Sequence, residues 1–225
     1  MGKVIAIGGG YNGGDFDVQI EGKIRSLIPK ERPMVLFVPY ASTDFEENYN
    51  QFKEIYVSQG CMVELLQPGE EKRLLQADLI YLGRGGTIPL LKQLHETHAI
   101  PFLIQALEKG AIIAGFSAGA HALFTLAGSN EEKVGYVLVE GLGLIDSCMI
   151  SHYNYKDRAE AFHQLLSKGK VKKGIGLEDH AMLVVENNNA KLYSTKANAT
   201  GYVIETGDSD PIVSPMSRDE FVLPL

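Results

Sequence analysis

The sequence predicts a doubly wound α/β protein with a mostly parallel sheet, on three observations. Short apolar β-branched runs recur with segments of helical period between them, from the first residues to about residue 126. One of these runs, Pro33-Met34-Val35-Leu36-Phe37-Val38-Pro39, is apolar throughout, as expected of a strand covered by helices on both faces. Several runs end in glycine-rich turns, the connection that leads from strand to helix at the carboxyl edge of such a sheet.

In order, Lys3-Val4-Ile5-Ala6-Ile7 reads as the first strand and ends in Gly8-Gly9-Gly10. That spacing is not Gly-x-Gly-x-x-Gly and no helix starts at once, so a dinucleotide site is not indicated. Phe16, Ile20, Ile24 and Leu27 then share a helical face. After the Pro33–Pro39 strand, a helix is expected from Thr43-Asp44 to Ser58, closed by Gly60. Cys61–Leu66 and Asp78–Leu82 read as strands, with a short helix over Glu70–Gln76 between them. Ala111–Ala114 is a buried strand, and Ala120–Phe124 begins a helix. Beyond residue 128 the alternation lapses. A polar loop is expected over Gly128–Lys133, followed by strand-like runs at Tyr136–Val139 and Cys148–Ile150 and a helix over Asp157–Ser167. Short strands at Gly174–Leu177, Met182–Val185, Ala190–Tyr193 and Gly201–Ile204, parted by Asn187-Asn188-Asn189 and Gly207-Asp208, predict C-terminal β-hairpins. With no linker or internal repeat, residues 1–225 are expected to form one domain.

Composition narrows the function classes. A formal charge of −7 argues against nucleic acid or an anionic membrane as partner, and no apolar run approaches membrane-spanning length. The chain enters a strand without a basic leader, and its two cysteines, Cys61 and Cys148, make no disulfide framework; both features predict a cytoplasmic protein. His95-Glu96-Thr97-His98 lacks the His-Glu-x-x-His order of a zinc site, and neither a metal nor an organic cofactor is expected.

The chemistry concentrates at Gly115-Phe116-Ser117-Ala118-Gly119, between the Ala111–Ala114 strand and the following helix. Gly-x-Ser-x-Gly in that setting is the nucleophile-elbow pattern, in which a strained turn lifts one serine above the sheet. The flanking glycines are required where strand and helix nearly touch, and the helix N-terminus favours developing negative charge. Gly83-Arg84-Gly85-Gly86-Thr87, after an adjacent strand, suits an oxyanion hole shared with the N–H that follows the serine. A serine nucleophile needs a base and an acid that orients it. Of six histidines, His152 is the best placed because it follows an apolar run and so emerges at a strand end. His121 lies in the helix after the serine, His163 in mid-helix, His95 and His98 at a polar helix end, and His180 in a turn. For the acid, Glu131, Glu132, Asp146, Asp157, Glu178 and Asp179 all stay open.

Gly-Phe-Ser-Ala-Gly-Ala, Gly-Arg-Gly-Gly-Thr, the later Ser-His-Tyr and Gly-Ile-Gly-Leu-Glu-Asp together resemble the peptidase E group, the aspartyl dipeptidases and their cyanophycinase relatives of serine peptidase family S51. The resemblance covers nearly the whole chain. It implies a class I glutamine-amidotransferase-like, flavodoxin-like fold. It also implies Ser117 as nucleophile, His152 as base and the N–H groups of Gly85 and Ala118 as the oxyanion hole. The family's acid lies in the loop after the nucleophile helix, where Glu132 falls closest; the dipeptidases carry aspartate there and cyanophycinase-like relatives glutamate. Arg158, opening the helix after the histidine, matches the arginine that reads the substrate's aspartyl carboxylate. The implied activity is hydrolysis of small peptides, foremost dipeptides with N-terminal Asp, by a monomer or weak homodimer. β-Aspartyl or cyanophycin-like peptides, and a non-catalytic binding domain, are the alternatives. An α/β-hydrolase esterase fits less well, because its histidine normally comes near the C-terminus. A glutaminase would need cysteine at position 117.

Overall fold

In the computed structural model, the described residues are 2–11, 15–131, 134–169, 171–207, 210–219 and 221–223. The strands are β1 (Val4–Ile7), β2 (Met34–Val38), β3 (Met62–Leu65), β4 (Leu79–Leu82), β5 (Ile112–Phe116), β6 (Phe124–Glu131) and β7 (Gly135–Glu140). They continue with β8 (Ile145–Ser151), β9 (Lys173–Leu177), β10 (Ala181–Glu186), β11 (Asn189–Ser194), β12 (Gly201–Glu205), β13 (Ile212–Pro215) and β14 (Phe221–Val222). The helices are α1 (Val18–Ser26), α2 (Glu46–Ser58), α3 (Thr87–Glu96), α4 (Ile100–Glu108), α5 (Ala118–Leu123) and α6 (Lys156–Lys168). A 3₁₀ turn occupies Glu71–Gln76.

The strands form an eight-stranded sheet in the order β14-β11-β10-β1-β5-β4-β2-β3 and a six-stranded sheet in the order β13-β12-β9-β8-β6-β7. In the first, β1, β5, β4, β2 and β3 run parallel, as the apolar runs and intervening helices require, and β10, β11 and β14 add antiparallel pairs. Alternate residues of each parallel strand feed two cores. Ile5, Ile7, Val35, Phe37, Leu79 and Tyr81 pack with Ile20, Ile24, Phe52 and Tyr56 of α1 and α2. Val4, Ala6, Leu36, Val38, Ile80 and Leu82 pack with Leu90, Leu94, Leu103 and the alanines of α5 on the other face. Helices thus cover both faces, as predicted.

The second core extends through Phe124, Ala127, Met149, Ile175 and Leu177, so the six-stranded sheet seats one face against the α5 side of the first sheet. Its other face holds Cys148 and Ile150 against Phe162 and Leu166 of α6. This second sheet differs from the sequence-based expectation at one place in particular. Gly128–Glu131, expected in a polar loop, is the end of β6, paired antiparallel with Tyr136–Gly135 and onward along β7. The polar residues there mislead because Ser129 is buried with its hydroxyl hydrogen-bonded, a circumstance that local polarity does not reveal. The expected hairpins do form: β10–β11 widens the first sheet and β12–β13 the second. Asn187 and Asn188 supply the positive φ of the first hairpin's turn, at 51° and 66°. Both cysteines are free and buried. No helix among the described residues is long and apolar enough to cross a membrane.

Candidate active site

The register of the first sheet brings the glycine loop and the serine turn to one edge. Leu82 of β4 pairs with Gly115 of β5, so Gly83–Thr87 and Ser117 leave the sheet side by side at its carboxyl end. Ser117 has φ 53° and ψ −105°, a conformation disfavoured for any residue with a side chain. It is held by its own N–H, which donates to Ile7 O at 3.1 Å, and by its carbonyl, which accepts from His121 N–H at 2.9 Å. The flanking glycines have the predicted reason. A Cβ on Gly115 would strike the Gly119 carbonyl, and one on Gly119 the Leu82 carbonyl.

His152 follows β8 and reaches the same place. It is buried, and its Nε2 lies 2.9 Å from Ser117 Oγ. Its Nδ1 lies 2.6 Å from Asp179 Oδ1. A carboxylate can only accept, so Nδ1 carries the proton and Nε2 is free to accept from the serine hydroxyl. Glu132, the acid implied by the resemblance, lies outside the described residues, and the carboxylate on the imidazole is instead Asp179. The reason is topological. β8 and β9 are parallel with Ser151 opposite Leu177, so His152 and the Glu178-Asp179 turn emerge together. A strand-ending acidic pair in Gly-Ile-Gly-Leu-Glu-Asp is the signal in the sequence that could have singled Asp179 out.

Three further groups fix this pair. Asn154 Nδ2 donates to Asp179 Oδ2 at 3.1 Å, and Asn154 Oδ1 accepts from Asp179 N–H at 2.9 Å. His180 Nδ1 donates to Asp17 Oδ2 at 2.7 Å, and Asp17 also caps α1 by accepting from Gln19 N–H, which ties the Asp179 turn to that helix. The triple glycine after β1 supplies carbonyls: Gly8 O accepts from His152 N–H and Gly9 O from His180 N–H, both at 3.0 Å. A Cβ on Gly9 would run into Asp179 Oδ1 and lie 2.5 Å from His152 Nδ1. Gly9 therefore makes room for the imidazole–carboxylate pair.

Gly85 is exposed at φ 143°, a conformation left to glycine. Gly86 N–H donates to Ala41 O at 2.8 Å, whereas the N–H groups of Gly85 and Ala118 make no hydrogen bond among the described residues. Arg158 lies with His152, Tyr155 and Asp157 around a cleft of about 240 Å³. Its guanidinium sits 6.0 Å from the Tyr136 ring centroid and forms no ion pair among the described residues. Among those residues no group of three or more His, Cys, Asp or Glu is arranged to hold a metal ion.

An α/β sheet whose carboxyl edge joins a serine on a strained turn to a histidine and a buried aspartate defines a protein of the hydrolase class. Comparison with known proteins narrows this. The model of peptidase family S51 matches residues 4–193, and the chain belongs to that family and is a peptidase. It is 28% identical over 209 residues to the uncharacterized peptidase YgaJ of Bacillus subtilis, covering 89% of this chain and 90% of that one. It is 32% identical over 140 residues to a probable alpha-aspartyl dipeptidase of Drosophila melanogaster, covering 60% of this chain and 57% of that one. The crystal structure of a peptidase from an acI-B1 Actinobacterium has the same fold, with a TM-score of 0.74 at 18% identity over 99% of this chain and 97% of that one.

Proposed function

We propose that the chain is a serine peptidase acting on small peptides, foremost dipeptides with N-terminal Asp, through Ser117, His152 and Asp179. The observation that carries the reading is the continuous line Ser117 Oγ–His152 Nε2 at 2.9 Å and His152 Nδ1–Asp179 Oδ1 at 2.6 Å, ending on the strained serine turn. His152 takes the hydroxyl proton as Ser117 Oγ attacks the scissile carbonyl carbon. The carbonyl oxygen, now an anion, accepts from the N–H groups of Gly85 and Ala118, each such donor being worth about 3 to 4 kcal/mol of barrier. The C–N bond breaks as His152 returns the proton to the leaving amine. Water then attacks the acyl-enzyme by the same route in reverse, while Asp179 holds the imidazole tautomer and balances its charge.

The aspartyl preference rests on Arg158. A guanidinium beside His152 that pairs with no carboxylate among the described residues can take a substrate carboxylate in two parallel charge-assisted bonds. The relative named a probable alpha-aspartyl dipeptidase supports the same reading.

The test has two arms. A serine-directed fluorophosphonate is expected to modify the wild-type protein at Ser117, and Ser117→Ala is expected to remove both labelling and peptide turnover while circular dichroism stays unchanged. Turnover surviving in Ser117→Ala would end the nucleophile assignment. Against a panel of Asp-X, β-Asp-X and neutral dipeptides, Arg158→Ala should lower kcat/KM for Asp-X by roughly 10- to 100-fold more than for neutral peptides. Equal losses across the panel would remove the carboxylate role, and faster cleavage of β-Asp-X would move the substrate to the β-linked peptides.

A further inference from the structure

α5 contains one polar side chain that could hydrogen-bond, in a helix otherwise made of Ala118, Gly119, Ala120, Ala122 and Leu123, all buried. That residue, His121, is itself 3% exposed. An apolar residue would fill such a position without desolvating two ring nitrogens, so the histidine must be matched by partners. Both nitrogens have them. Nε2 lies 3.1 Å from Ser151 N and 3.0 Å from Ser151 Oγ. Nδ1 lies 3.0 Å from Thr87 Oγ1. The contacts continue from Thr87 Oγ1 to Ser129 Oγ at 3.2 Å, and from there to Glu131 Oε1 at 2.8 Å.

The chemistry of the partners sets the direction of every hydrogen in this chain. A backbone N–H can only donate, so Nε2 of His121 is the bare nitrogen and its proton is on Nδ1. Nδ1–H then donates to Thr87 Oγ1. Ser129 gives its single hydroxyl hydrogen to Glu131 Oε1, so the Thr87 hydroxyl hydrogen goes to Ser129. Burial, helped by the positive charge of Arg158, pushes the His121 pKa down to about 3, in keeping with a ring that stays neutral.

The residues at the two ends of the ring are neighbours of the catalytic groups. Thr87 opens α3 directly after Gly85 and Gly86. Ser151 directly precedes His152, whose φ of 55° must be imposed by its surroundings. The backbone of His121 bonds Ser117 O, one turn earlier in the same helix. We infer that His121 is a positioning residue of the peptidase reaction. As a neutral imidazole protonated on Nδ1, it fastens together the serine turn, the glycine loop and the strand end that carries His152. This inference rests on the Ser117–His152–Asp179 reading above and adds a part to it.

Three variants and one spectrum test it. Nitrogen-15 NMR of the wild-type side chains should show His121, assigned by its loss in His121→Asn, as the Nδ1–H tautomer with shifts constant from about pH 5 to 9. In His121→Asn the shorter amide keeps a donor near Thr87 but cannot reach Ser151. Its kcat on the fastest dipeptide, and its rate of labelling by diisopropyl fluorophosphate, should fall roughly 10- to 100-fold with KM within about twofold. His121→Gln places an acceptor near the Nε2 position and should recover most of that loss. Thr87→Val keeps the ring and cuts the link to the glycine loop. It should also lower kcat with little change in KM, and it carries the test if His121→Asn does not fold.

An Nε2–H tautomer, wild-type kcat in His121→Asn, or equal impairment in the Asn and Gln variants would each overturn the inference. Wild-type kcat in Thr87→Val would overturn it too. A wild-type protein that diisopropyl fluorophosphate fails to label at Ser117 would instead defeat the underlying serine reading, and the inference with it. That failure is recognisable because the His121 tautomer would stand unaltered.

Discussion

His152 joins two demands that seldom meet in one residue: a left-handed backbone and a ring whose two nitrogens must point in fixed directions. Its N–H is held by Gly8 O, and the ring is aligned by Asp179, itself bracketed by Asn154 on both its backbone and its side chain. If the carboxylate acts by fixing the tautomer, an amide in its place should be worse than a mere loss of charge. The Nδ2 of an Asn can donate to Nδ1 and so drive the imidazole proton onto Nε2, where it blocks the serine. Asp179→Asn is therefore expected to lower kcat by about 10⁴-fold with the fold intact. Steady-state rates on the fastest dipeptide check this, and a loss of less than tenfold would mean that another acid orients the ring. Legibility at this scale was uneven for a physical reason. Ser117 stands in a five-residue motif whose glycines are forced by local sterics, and His152 follows a strand, so both can be read from neighbours in the chain. A carboxylate has no such local mark. Asp179 was one of six open acids because its selection depends on β9 lying parallel to β8, a pairing between segments more than twenty residues apart.

The elements that carry the site work through close approach more than through length. β1 is four residues long, yet its end meets the serine turn, the histidine and the aspartate turn through three carbonyls: Ile7 to Ser117, Gly8 to His152 and Gly9 to His180. The triple glycine, by its spacing, already argued against a dinucleotide site. Its function in the fold is to bring backbone within reach of an imidazole where no Cβ fits. This makes Gly9 a sensitive probe. In Gly9→Ala the new methyl meets the far ends of the Asp179 and His152 side chains, which can move, and not rigid backbone. The expected outcome is a protein that folds, with a Tm lowered by a few degrees, but whose kcat falls by roughly 100-fold as the ring is displaced from Ser117. Gly115→Ala gives the contrast, since its methyl meets the Gly119 backbone and should prevent the turn from forming. Full activity in Gly9→Ala would mean that the imidazole–carboxylate pair has slack that its packing does not suggest. The second sheet was the least legible element, because the polar end of β6 pairs with β7 and its Ser129 is buried against Thr87 of α3.

Across the whole molecule, the site lies at the carboxyl edge of the parallel strands, while the layer of α1 and α2 beneath the same sheet holds an acid with no evident part in the chemistry. Glu21 of α1 is fully buried and accepts from Tyr56 OH of α2 at 2.7 Å and from Tyr81 OH of β4 at 2.9 Å. Burial raises its pKa, the two phenol hydrogen bonds oppose the rise, and the charge of Asp17 adds to it; the outcome is a value pushed up from 4.5 to about 7. The sign of the linkage follows. The folded state binds this proton more tightly than the unfolded chain does, so the stabilisation is complete below about pH 4.5 and is lost as pH rises through 7. A shift of that size corresponds to about 3 kcal/mol between the two limits. Glu21→Gln keeps the shape and can still bond both tyrosines, since the amide oxygen accepts from one phenol and the amide nitrogen donates to the other. The variant should therefore be close to wild type in urea midpoint at pH 5 and more stable at pH 8, the gap widening steadily between. Because the acid lies in the α1–α2 layer and not at the serine edge, kcat at pH 6 should be unchanged. A gap that stays constant from pH 5 to 8 would show that the buried carboxyl does not titrate in this range. Its two tyrosine contacts would then have to be strong enough to keep it ionised inside the core.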